Sequence, residues 1–96
     1  MHIQMTGQGV DISPALRELT KKKLHRIQPC RDEISNIHII FHINKLKKIV
    51  DANVKLPGST INAQAESDDM YKTVDLLMHK LENQLSKYKA KKGDHR

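Results

Sequence analysis

The sequence predicts a small α+β domain of order β-α-β-β-β-α, with two helices on one face of a four-stranded mixed sheet. Three observations predict it. From Met70 onward, Val74, Leu77, Met78, Leu81, Leu85 and Tyr88 recur at three- and four-residue steps, the repeat of one helix face. Between Ile34 and Ala65 the periodicity falls to two, in three runs separated by short turn-like breaks. Ahead of these, an alternating run and a helical stretch form a crossover unit, so the strands on either side of it are parallel if adjacent.

The first strand is His2-Ile3-Gln4-Met5-Thr6, which alternates and then meets Gly7 and Gly9. Ser13-Pro14 starts the first helix: serine offers a capping oxygen, and proline fits the first helical turn. Leu16, Thr20, Leu24 and Ile27 form its inner face, with Leu19 and Lys23 at the margin. The helix is expected to run to about Gln28, where Pro29 stops it.

In the second strand Ile37, Ile39, Phe41 and Ile43 point one way, and His38, Ile40, His42 and Asn44 the other. Asn44 to Lys48 is read as a basic connection. Val50, Ala52, Val54 and Leu56 then alternate with Asp51, Asn53 and Lys55, and Pro57-Gly58 suits the centre of a type II turn. Ile61, Ala63 and Ala65 make the last strand, small enough for a helix to lie close. Ser67 or Asp68 is expected to cap the final helix, with Asp69 in its first turn favoured by the helix dipole. Every strand has one apolar and one polar face, so both helices cover the same side and the other side meets water.

Ninety-six residues make one domain, 1–96, with a frayed basic end over about 92–96. An apolar fraction of 38% with 29% charged residues excludes a disordered chain. With Phe41, Tyr71 and Tyr88 as the only aromatics and no Trp, stacking on exposed bases is not a main binding mode. A single cysteine, Cys30, allows no intrachain disulfide and suits a reducing cytoplasm. No apolar run is long enough to span a bilayer, and the N-terminus lacks a signal-peptide pattern, so a cytoplasmic, non-membrane protein is expected.

The net charge of +6 is unevenly spread. Six Lys/Arg face one Glu over 17–31, three lysines fall within 45–48, and six Lys/Arg face two acids over 80–96. The remainder is therefore acidic. Cations gathered in three places point to an anionic macromolecule. On the final helix Lys80, Gln84, Lys87 and Lys91 share one flank of the apolar seam, and Asp75 and Glu82 the other. On the first, Lys22 and Arg26 lie a turn apart, with Lys23 beside the apolar face. Side-by-side packing of the helices would join these flanks into one basic surface for phosphates, which gives affinity without base readout.

Catalytic chemistry finds no support. His38 and His42 have metal-pair spacing for a helix, but on a strand they stand about 13 Å apart. Asp68-Asp69 is a helix start without a nucleophile. Cys30 has Arg26 and Arg31 as basic neighbours, yet no partner for nucleophilic catalysis. No phosphate-binding loop, dinucleotide fingerprint or hydrolase order occurs. No enzyme, cofactor, metal or small-molecule substrate is expected.

The opening strand with Gly7, the run Val10-Asp11-Ile12-Ser13-Pro14-Ala15-Leu16-Arg17, and Asp68-Asp69-Met70-Tyr71 carry a recognisable pattern. It continues through Val74-Asp75, Lys80-Leu81 and Gln84-Leu85 to the terminal lysines. Over nearly the whole chain it resembles the short ribosome hibernation promoting factor and ribosome-associated inhibitor family of bacteria. The resemblance implies a fold similar to double-stranded-RNA-binding domains. It also implies binding to the small ribosomal subunit and its rRNA, in the channel holding messenger and transfer RNAs. It further implies inhibition of translation in stationary phase or stress, and promotion of inactive ribosome dimers together with ribosome modulation factor.

RNA-binding positions carried over from the family are Lys23 and Arg26, then Lys80, Lys87, Lys89 and Lys91; Lys22 joins them from its place on the first helix. The chain departs from the family at Asn83, where an arginine is common, and at Pro29-Cys30, where an aromatic pair is common. Its length matches the short subtype. Alternatives are a free-standing double-stranded-RNA binder, disfavoured by the acidic start of the last helix, and a protein that modulates a sigma factor.

Overall fold

A computed structural model describes residues 1–93. Strand β1 (His2–Gln8) leads to helix α1 (Pro14–His25). Strands β2 (Asn36–Asn44), β3 (Lys47–Leu56) and β4 (Ser59–Ser67) follow, and helix α2 (Met70–Gly93) closes the chain. A 3-10 turn at Arg31–Glu33 links α1 to β2. The sheet order is β1-β2-β3-β4. β1 and β2 are parallel, joined through α1, and the remaining pairs are antiparallel. The expected fold class is present throughout.

The register sets the two faces. Ile3, Ile37, Val54 and Ile61 align across the sheet, as do Met5, Ile39, Ala52 and Ala63. Leu16 and Leu24 from α1, Ile27 just beyond its end, and Val74, Leu77, Leu81 and Leu85 from α2 complete one core on that face. The small Ala52, Ala63 and Ala65 let α2 lie over β3 and β4. Leu24, Phe41, Leu77, Leu81 and Leu85 are fully buried, and each such side chain contributes about 1.5–3 kcal/mol relative to exposure.

Several boundaries differ from the sequence expectation. α1 ends at His25 rather than near Gln28. Its last turn tightens, with the Arg26 and Ile27 amides donating to the Lys23 and Leu24 carbonyls. The helix stops ahead of Gln28 because the residue before a proline disfavours helical backbone. The basic connection shrinks to Lys45–Leu46: Lys47 and Lys48 are already in β3, paired with Asn44 and Ile43. Ile43 shares the inner face but is 42% exposed, at the end of the sheet.

Asp69, not Ser67 or Asp68, caps α2, its carboxylate accepting from the Lys72 amide at 3.1 Å. Ser67 supports that cap by accepting from the Asp69 amide. Pro57–Gly58 forms the β3–β4 turn with Gly58 at φ +68°, as the type II geometry requires. The expected frayed end over 92–96 overlaps α2 at 92–93 and otherwise lies outside the described residues.

Candidate nucleic-acid interface

The helices run in the same direction, as two cross-links show. Lys23 Nζ lies 2.5 Å from Asp75 Oδ1, and about two turns further along α2 Glu82 Oε2 accepts from the Gln28 amide at 3.2 Å. The flank of α2 facing α1 is therefore the acidic one. The lysine flank faces the opposite way, over the free edge of β4. There Lys80 Nζ donates to the Gln64 carbonyl at 2.7 Å, and Gln84 Nε2 to the Asn62 carbonyl at 3.0 Å. Lys87 and Lys91 line the groove beyond them with Ser59, Thr60 and Tyr88.

The expected single basic surface is thus two strips. One comprises the exposed Lys22 and half-buried Lys23 on α1 with the exposed Arg26 that caps its C-terminus. The other comprises Lys80, Lys87 and Lys91 on α2. Lys89 belongs to neither: it lies seven residues after Glu82, on the side of α2 that faces α1. Handedness explains the outcome. A right-handed crossover fixes the side of α2 on which α1 lies, and the acids occupy that side.

Some of these cations have structural work. The β4 edge carries unpaired backbone groups that invite association, and Lys80 and Gln84 cover two of its carbonyls. Lys22, Lys23 and His25 fill the last turn of α1, where cations complement the helix dipole. Arg31 reaches back to the His25 carbonyl at the same end. The side chains of Lys22, Arg26, Lys87 and Lys91 are exposed and bond to no other part of the described fold, and they are the positions best placed to meet phosphates.

The other sheet face is polar and internally bonded. His38 Nε2 pairs with Thr6 Oγ1 at 2.8 Å, and His42 Nε2 with Asp51 Oδ2 at 2.9 Å. Gln64 Nε2 donates to the second oxygen of Asp51 at 2.5 Å. The two histidines are held by separate partners. Among the described residues, no group of three or more His, Cys, Asp or Glu side chains is placed to hold a metal. No helix among them is long and apolar enough to cross a membrane.

Sequence reasoning placed Asp75 and Glu82 on the correct flank but missed what they do, and it missed the edge-covering role of Gln84. No local signal marks either; both depend on which element lies alongside.

Comparison with known proteins places the chain. It is 37% identical to ribosome hibernation promoting factor of Klebsiella oxytoca, over 99% of this chain and 100% of the relative. Identity to the Escherichia coli K12 protein of that name is 35%, over the same shares. Among solved structures, a ribosomal subunit interface protein from Coxiella burnetii matches with a TM-score of 0.93 and 98% identity, covering 94% of this chain and 99% of the other. The N-terminal domain of Thermus thermophilus Protein Y matches with a TM-score of 0.78 and 25% identity, over 92% and 99%. The model for sigma 54 modulation protein / S30EA ribosomal protein matches residues 3–93, and the chain belongs to that family.

Proposed function

We propose that this protein is a non-enzymatic ribosome hibernation factor. It binds rRNA in the decoding channel of the small subunit, over the messenger and transfer RNA sites, and holds translation idle. Family membership and relatives named for ribosome hibernation support the role and the ribosome as partner. In this reading the protein also promotes inactive ribosome dimers, with ribosome modulation factor as a further partner.

One observation carries the choice of a channel over an open duplex. The helix cations form two strips facing different directions, separated by the outer surface of α2, with Asp75 and Glu82 between them. A single RNA backbone meets only one such strip. A cleft walled by RNA on more than one side meets both. The contacts are phosphate contacts, so affinity falls steeply with salt.

Charge reversal at Lys22, Arg26, Lys87 and Lys91 tests this, because none of these side chains bonds to another part of the described fold and Lys22 adds only its charge at the end of α1. The variant is expected to keep its far-ultraviolet circular dichroism and to lose co-sedimentation with small subunits. Retained ribosome binding by a folded variant would sink the mechanism. The family description also names sigma 54 modulation; a sigma factor captured from nuclease-treated lysate would favour that second reading.

A further inference from the structure

The third basic cluster takes no part in the helix strips. It forms the tip of the β2–β3 hairpin, where Asn44 pairs with Lys47 and only Lys45 and Leu46 make the turn. Both residues are poor choices for stability. Two-residue hairpin turns favour Asn-Gly or Asp-Gly, whose backbones accept positive φ readily. Lys45 instead sits at φ +60° with a full side chain. Leu46 is 86% exposed, against 38–43% for the other exposed large hydrophobics. A local rule broken twice in adjacent residues, with no packing gained, marks a site shaped by something outside the fold.

The tip is held firmly from below. Thr73, fully buried on α2, donates from Oγ1 to the Lys48 carbonyl at 2.9 Å, and it also bonds Ser67. Lys47 Nζ meets Glu66 Oε2 at 3.1 Å. That pair neutralises Glu66, and Asp69 is engaged as the α2 cap. Among the described residues, Lys45 and Lys48 have no carboxylate within ion-pair reach. The tip thus presents an apolar point beside the uncompensated Lys45, with the half-buried, uncompensated Lys48 at its base.

We propose that the Lys45–Leu46 tip is a third RNA-contacting element. Leu46 packs against an exposed base or ribose, and Lys45 and Lys48 meet the flanking phosphates. The combination fits nucleic acid better than an apolar groove on a protein, where two lysine ammonium groups would be desolvated without a counter-charge. Apolar side chains wedged against bases beside cationic ones are an established mode of contact. The proposal rests on the rRNA reading above.

Three variants of the full chain, assayed against isolated small ribosomal subunits over a potassium chloride series, test it. Leu46→Ser is expected to weaken binding about tenfold with an unchanged salt slope, since it removes apolar burial alone. Lys45→Gly is expected to lower the salt slope by about one. The same variant is expected to raise Tm by about 2–4 °C, because glycine relieves the left-handed turn. A purely structural role for Lys45 would not weaken binding while stabilising the fold. A photo-crosslinking residue at position 46 is expected to label rRNA.

Labelling of a ribosomal protein instead, or unchanged affinity in both Leu46→Ser and Lys45→Gly, would overturn the proposal. If those two bind normally while the four-site helix reversal does not, the tip is refuted and the ribosome reading stands. Failure of the unaltered protein to bind small subunits removes both.

Discussion

Lys23 Nζ and Asp75 Oδ1 are 2.5 Å apart across the seam between the helices. An α1 cation carried over from the family as an RNA contact is therefore already met by a carboxylate of α2. Phosphate must compete with Asp75 for it, and Asp75 itself repels phosphate. Asp75→Asn is expected to tighten binding to small subunits about fivefold, the equivalent of about 1 kcal/mol. The side chains are 32% and 56% exposed, so loss of the pair costs about 0.2–1 kcal/mol of stability at most. Competition binding and urea denaturation measure the two effects. Weaker binding by a stable variant would show instead that Asp75 orients Lys23 for its partner.

Lys80 and Lys87 lie on the same flank yet differ in what they touch. Lys80 donates to the Gln64 carbonyl on the β4 edge, while Lys87 lines the open groove beside Tyr88. Replacing either with Met keeps the apolar stem and removes the charge. Each change is expected to lower the salt slope of subunit binding by about one. Only Lys80→Met should also lower stability, by about 0.5–1 kcal/mol, because it uncovers an edge carbonyl. Equal stability of the two variants, read from urea midpoints, would refute the covering role.

The contrast between these lysines shows where the sequence was informative. Seam residues from Met70 to Tyr88, the alternating strands and the Ser13-Pro14 helix start are set by local periodicity and capping chemistry, so they are legible in one dimension. Which flank of α2 faces α1 is not. That depends on sheet order and crossover handedness, and it determines that Asp75 and Glu82, rather than Lys80 and Lys87, meet α1. The end of α1 is similarly hard to place: Pro29 marks a stop in the sequence, but its steric effect acts on Gln28 and the helix ends at His25. Lys45 carries no turn signal of its own, and the basic run from Asn44 to Lys48 argues for a longer connection.

Gly7 pairs with Phe41 on the inner face, at the end of β1. A Cβ there would lie 2.1 Å from the Val10 carbonyl oxygen, a backbone atom that cannot swing aside. Gly7→Ala therefore forces the β1–α1 loop away from the sheet. A loss of about 1–3 kcal/mol is expected, seen as a lower urea midpoint. Gly7→Ala at unchanged stability would mean that the loop re-forms without strain.

Thr73 ties the start of α2 to the hairpin. Its Oγ1 lies 2.9 Å from the Lys48 carbonyl, 3.0 Å from the Asp69 carbonyl and 2.6 Å from Ser67 Oγ, and the residue is fully buried. Thr73→Val keeps the shape and removes the hydroxyl, taking a donor from the part-buried Lys48 carbonyl and a partner from Ser67. A cost of about 0.5–1.5 kcal/mol follows from the lost hydrogen bond. Thr73→Ser restores the hydroxyl and should recover most of it. If the tip contacts RNA, Thr73→Val should also weaken subunit binding in conditions where the protein remains folded, because the base of the hairpin is released. Subunit affinity that stays constant while stability falls would show that the tip needs no support from α2.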